Sequence, residues 1–213
     1  MTDRTYSVNE AAFVTERSPK ALTREFDEGV LTADAKAQGL KGGKSRQFGR
    51  PELRFFRLMK HWEKDFTPDG RRTVFDSVRK MGPRQKVLEL RNARYDMAPI
   101  DAELKARETS LEDLRGKFVS RDGDVFFKGK TISAYRVAAL SKSQSVGEIA
   151  QDYPSLSPKM IQDAIDFEMI YPKKGKPYPS RSLKRTLAEA GETIDPALLD
   201  LMFGDEPDPS RDD

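Results

Sequence analysis

The chain carries the same helix punctuation twice: Ser7-Val-Asn-Glu10 is followed by Ser18-Pro19, and Ser145-Val-Gly-Glu148 is followed by Ser157-Pro158. Serine followed three residues later by glutamate is a capping box, in which the two side chains accept reciprocally from amides that the first turn leaves without partners. Serine before proline marks an N-cap and a first helical position. Each copy therefore predicts two short helices joined by a tight turn, which is a helix-turn-helix. Two such units make the chain mainly α with small β elements, and its 213 residues suit two compact modules with extensions.

In the first copy a helix starts at Val8 and a second at Pro19. Ala21, Leu22 and Phe26 fall on one face of the second helix, and Lys20, Thr23 and Arg24 fall on the other. After Gly29 the stretch LTADAKAQGLKGGKSRQFG is glycine-rich and basic, with little apolar periodicity. It suits a β-hairpin wing whose Lys41, Lys44 and Arg46 lie along phosphates. Pro51 then opens a helix from Glu52 to about Lys64 that buries Leu53, Phe56, Met59 and Trp62.

In the second copy Val146, Ile149 and Ala150 face Ile161, Ala164 and Ile165, so the unit is repeated. Its outer surface is not, because Lys159 and Gln162 are joined by Asp163, Asp166 and Glu168. Carboxylates near a phosphate backbone oppose the electrostatic term of DNA binding. This copy is therefore assigned to dimerisation or partner docking. A hairpin over Val125 to Ile132, turning near Lys128-Gly129, precedes it, with a helix from about Ala134 and a stop at Tyr171-Pro172. Between the copies, a helix is expected over Asp69 to Lys80, a strand over Val87 to Leu90, a second strand ending at Ile100, and a helix over Asp101 to Leu114 with Leu104, Leu111 and Leu114 on one side. These strands and the hairpin are expected to share one small sheet.

Charge is segregated along the chain. The total is only +3, from 38 Lys+Arg against 35 Asp+Glu, but residues 1–64 hold 13 basic and 9 acidic side chains. Residues 173–186 hold 6 basic and none acidic, and residues 187–213 hold 1 basic and 9 acidic. Such a distribution suits different partners at different ends. The tail begins KKGKPYPSR, an extended segment, and continues with helices over Ser182 to Ala190 and Pro196 to Phe203. Its apolar cluster of Leu198, Leu199, Leu201, Met202 and Phe203 either folds onto a partner or packs back on its own module.

Several chemistries find no support. There is no cysteine, which excludes disulfides, thiolate zinc and cysteine catalysis, and His61 is the only histidine. The run Gly39 to Ser45 lacks the first-glycine spacing and the preceding strand of a phosphate-binding loop. No cofactor, no metal site and no enzymatic activity are expected. With no apolar run of about 18 residues and no signal-peptide core, a cytoplasmic protein without membrane insertion is expected.

Two resemblances add to this reading. YSVNEAA, SPKALTREFDEGVL and RQFGRPELRFFRLM, in that order, look like the winged helix-turn-helix of MerR-type regulators over residues 1–64. The resemblance implies that Arg17, Lys20, Thr23 and Arg24 enter the major groove, on guanine edges or phosphates. Residues 121–172, with Gly129-Lys130-Thr131-Ile132 and the stretch DYPSLSP, resemble a small bacterial domain of unknown function found in VapB-type antitoxins. That resemblance implies a homodimeric antitoxin of a type II toxin-antitoxin system that represses its own operator and neutralises a PIN-type ribonuclease. In such a complex Arg181, Lys184 or Arg185 enters the acidic metal site of the toxin, and Leu198, Leu199, Met202 and Phe203 anchor the tail. The segments are then a DNA-binding domain 1–64, a connector 65–120, the antitoxin-type helix-turn-helix module 121–172 and a toxin-binding tail 173–213. The alternatives are a stand-alone dimeric regulator or phage-type DNA-binding factor and, from another class, an enzyme acting on nucleic acid.

Overall fold

A computed structural model describes residues 4–31, 46–82, 85–90 and 93–181. It is mainly helical, with small antiparallel strand pairs, and divides into two compact units, Met1–Asp113 and Leu114–Asp213. The boundary falls within the connector 65–120. Most of the connector belongs to the first unit.

The first unit opens with β1 (Tyr6–Ser7), α1 (Val8–Thr15) and α2 (Pro19–Asp27). Both starts are set by the serines. Ser7 and Glu10 complete the capping box at α1, with the Ser7 amide 2.9 Å from Glu10 Oε2, and Ser18 Oγ accepts from the Ala21 amide at α2. Glu16 ends α1 in the left-handed region at φ 53°. Next come β2 (Gln47–Phe48), α3 (Arg50–Trp62), a single 3-10 turn (Glu63–Asp65) and α4 (Pro68–Lys80). β1 and β2 pair antiparallel, Tyr6 opposite Phe48 and Ser7 opposite Gln47, closing a segment that holds α1, α2 and the stretch 32–45. The expected wing, with Lys41 and Lys44, lies outside the described residues.

Helix α3 is the centre of this unit. Leu53, Phe55, Phe56 and Met59 are fully buried, with Leu22 of α2 and Phe48 of β2. Phe56 meets Phe48 edge-on at 5.1 Å, and Phe55 meets Phe75 of α4 at 5.3 Å. Each such ring contributes on the order of 2 to 3 kcal/mol by leaving water. Trp62, expected in the core, is half-buried against Tyr95 at 4.6 Å.

Strands β3 (Val87–Leu90) and β4 (Ala93–Asp96) form a hairpin, and α5 (Ala98–Gly116) follows. The expectation of a strand ending at Ile100 was wrong. Asp96 Oδ1 accepts from the Ala98 amide, and Pro99 sits in the first turn, where its missing N–H costs nothing, so the helix begins three residues before Asp101. Leu104, Leu111 and Leu114 lie buried along it.

The second unit holds β5 (Phe118–Arg121), β6 (Asp124–Phe127), α6 (Ala134–Leu140), α7 (Val146–Asp152) and α8 (Pro158–Ile170). The hairpin expected over Val125 to Ile132 is displaced. Its two-residue loop is Asp122-Gly123, at φ 51° and 78°, which matches the twist of the flanking strands; Lys128-Gly129 is a separate turn after it. Nor do the strands share a sheet, because among the described residues they form three separate two-stranded pairs. Ser145 with Glu148 and Ser157 with Met160 cap α7 and α8 as Ser7 and Ser18 cap the first pair. Ile149, Leu156, Ile161 and Ala164 pack inside, and Phe167 meets Phe118 at 4.4 Å.

Beyond α8 the chain runs without helix or strand to Arg181. It is strapped to its own unit: the Tyr178 hydroxyl donates to Asp124, Lys173 Nζ lies 3.8 Å from the same carboxylate, and Ser143 Oγ donates to the Ser180 carbonyl. Burial alone would raise Asp124. The bonds from Tyr178, Ser133 and the Val125 amide, with Lys173 nearby, outweigh it and hold the carboxyl below its ordinary value. Lys184, Arg185, Leu198, Leu199, Met202 and Phe203 lie outside the described residues.

Candidate nucleic-acid interface

On α2 the residues Lys20, Thr23, Arg24 and Asp27 recur at helical spacing and form one stripe. Lys20 and Arg24 are exposed and Thr23 is half-buried, its hydroxyl donating to the Pro19 carbonyl at 2.9 Å. Lys20 joins no ion pair among the described residues. Arg46, at the edge of the wing stretch, lies 3.8 Å from Asp27, with its guanidinium stacked over the Phe26 ring at 4.7 Å.

Arg17 is placed differently. Its side chain is only 4% exposed, and it donates to Glu25 at 3.2 Å and Glu63 at 2.6 Å. Burial pulls its guanidinium below the ordinary value while Glu25 opposes the shift, and Nη1 has no hydrogen-bond partner. It sits in the floor beneath the stripe and supports the stripe from below.

The floor is a closed ring of alternating charge. Glu25, fully buried, accepts from Arg17 and from Arg71 Nε at 3.0 Å; Arg71 also donates to Glu28; Glu28 lies 3.7 Å from Arg24; Arg24 pairs with Glu63; and Glu63 returns to Arg17. Three arginines and three glutamates thereby fix α2 against the 3-10 turn and α4. Apolar periodicity missed this arrangement, because it assigns every charged residue of α2 to solvent. The legible signal was spacing: Glu25 stands three positions after Leu22, on the inner face.

A second set of arginines ties α3 to α5. Arg54 binds Asp101 through two bonds of 2.8 Å, and Arg57 binds Glu103 and Glu16. The hydrogen bonds from Arg57 and then Lys60 hold the Glu16 carboxyl down at about 2. Beside them an open cleft of about 520 Å³ is lined by Arg4, Tyr6, Arg50, Lys105 and Glu112 among others. Arg4 is paired with Glu112 and Arg50 with Glu108 and Asp101, so the cleft offers an anion little unopposed charge.

In the second unit, α8 presents Lys159, Gln162 and Asp166 outward, with Gln162 bonded to Asp166 at 2.9 Å, and Asp163 paired to Lys117 at 2.7 Å. Met169 is the one large apolar side chain that is well exposed among the described residues, at 59%. Arg181 is exposed where the described strap ends. Among the described residues no three histidine, cysteine or carboxylate side chains are grouped to hold a metal ion, and no helix is long and apolar enough to cross a membrane.

No protein-family model matches the chain, and neither a curated protein nor a solved structure is significantly similar to it.

Proposed function

We propose that this chain is the antitoxin of a type II toxin-antitoxin pair: the first unit binds operator DNA by laying α2 in the major groove, and the tail of residues 173–213, beyond the strap that ends at Arg181, occupies a PIN-type ribonuclease. The observation that carries the DNA half is the α1–α2 pair, whose second helix presents Lys20, Thr23 and Arg24 on one outward stripe. A helix-turn-helix reads DNA with the outward face of its second helix. The basic stretch between α2 and β2, with Lys41, Lys44 and Arg46, is assigned to the wing by its composition. Arg17 is left out of the reading surface, because its side chain is buried against Glu25 and Glu63.

The toxin half rests on the likeness of residues 121–172 to the VapB-type domain and on the cationic then apolar and acidic makeup of the tail. The α7–α8 unit, with Asp163 and Asp166 where a DNA reader would carry cations, serves the dimer or the partner. The test is to express the protein from its native locus, tagged at Met1, and identify what co-purifies through a high-salt wash. A small nuclease-like protein, lost when residues 173–213 are deleted, is the expected result. Recovery of the chain alone would replace the antitoxin reading with that of a stand-alone regulator.

A further inference from the structure

We infer that Arg24 is a releasable phosphate contact: Glu28 and Glu63 hold it in the free protein and hand it to a DNA phosphate on binding. This rests on the DNA-binding reading above and assigns the glutamates a role in setting affinity.

The ring around Glu25 has one side open to solvent. Arg17 and Arg71 have side chains 4% and 7% exposed, whereas Arg24 is 48% exposed. Only Arg24 can leave without unpacking the unit. Its departure is also cheap in charge terms, because Glu63 keeps Arg17 and Glu28 keeps Arg71. The ring opens into a chain of five residues that still alternate in sign, with no carboxylate stranded. Arg24 already lies between two carboxylates, and a guanidinium can take a phosphate through two of its N–H groups. Lys20, one turn before it on the same stripe and outside the ring, supplies a contact that needs no exchange.

The competition between carboxylate and phosphate gives the test. With the full-length protein, dissociation constants are measured against salt for two duplexes of equal length, one carrying the DNA immediately upstream of the coding sequence and one a scrambled version. Glu63→Gln is expected to tighten binding to both by about threefold, the scale of a partly exposed ion pair. Arg24→Ala is expected to weaken both by the same factor and to lower the salt slope by about 1, while Arg24→Lys keeps the slope. In the Arg24→Ala background, Glu63→Gln is expected to gain nothing. Thermal melts accompany each variant, and Glu28→Gln replaces Glu63→Gln if the latter fails to fold.

A gain that persists without Arg24 would overturn the inference, since the glutamate would then merely repel DNA. So would a loss in Arg24→Ala confined to the upstream duplex, which would make Arg24 a base reader. Failure of the unmodified protein to bind either duplex would overturn the DNA-binding reading itself.

Discussion

The α1–α2 and α7–α8 pairs have the same serine caps, yet they fill the space beneath the second helix with opposite chemistry. Aligning Ser18-Pro19 with Ser157-Pro158 puts Arg17 opposite Leu156, Arg24 opposite Asp163, Glu25 opposite Ala164 and Glu28 opposite Phe167. Leu156, Ala164 and Phe167 are buried apolar contacts, and at the matching sites Arg17 and Glu25 are a buried ion pair. The caps specify where helices begin, so they recur. What the second helix packs against is decided by each unit's own neighbours: Arg71 and Glu63 in the first, Phe118 in the second.

The largest effect is expected from forcing the first copy's chemistry on the second. Ala164→Glu places a carboxylate at a fully buried site, and should destabilise the second unit by more than about 4 kcal/mol. The single tryptophan, Trp62, lies in the first unit and makes the outcome readable. Circular dichroism should lose helix while the Trp62 fluorescence transition stays in place, and a shift of both would mean that the two units unfold together.

The reverse experiment is next in size. Glu25→Ala should cost the first unit about 3 to 5 kcal/mol, because Arg17 and Arg71 are left buried with fewer partners. Urea unfolding followed by Trp62 measures it. Importing the second copy's pair, Arg17→Leu with Glu25→Ala, should recover about 1 to 3 kcal/mol of that loss, a double-mutant cycle that reads the coupling directly. Strict additivity of the two changes would refute the ring.

Where the two copies are alike, their responses should agree. Ser18→Ala and Ser157→Ala should each cost about 1 kcal/mol in chemical denaturation, the worth of an N-cap. Unequal losses would show that tertiary contacts take over the role of one cap.

The smallest effect separates them by pH. Glu16, at the turn of the first copy, has a folded-state value of about 2 against an ordinary 4.5, set by Arg57 and Lys60. Its stabilisation is therefore complete above about 4.5 and is lost as pH falls towards 2. The Trp62-reported melting temperature should decline over that window, and Glu16→Gln should flatten the decline. The second copy has Ser155 at the corresponding place and lacks this contribution.

Much of this fold was legible because its signals are local. Ser7, Ser18, Ser145 and Ser157 placed four helix starts, and the leucine spacing placed the buried face of α5. The errors were local too: Asp122-Gly123 was passed over as a hairpin loop in favour of Lys128-Gly129, and Pro99 was not read as the first turn of α5. The candidate interface was only half legible. Lys20, Thr23 and Arg24 share a stripe by spacing alone, but the burial of Arg17 depends on Glu63 and Arg71, which lie far along the chain.

By itself the sequence determined that there are two capped helix pairs, where each begins and which carries the more cationic outer face, because capping and periodicity act within a few residues. Only the tertiary structure decided that Arg17 points inward, what Glu25 meets there and that Arg24 is held by carboxylates. The reason is electrostatic: a charged side chain enters a core only where opposite charges from distant elements converge on it, and that convergence exists only once the chain has folded.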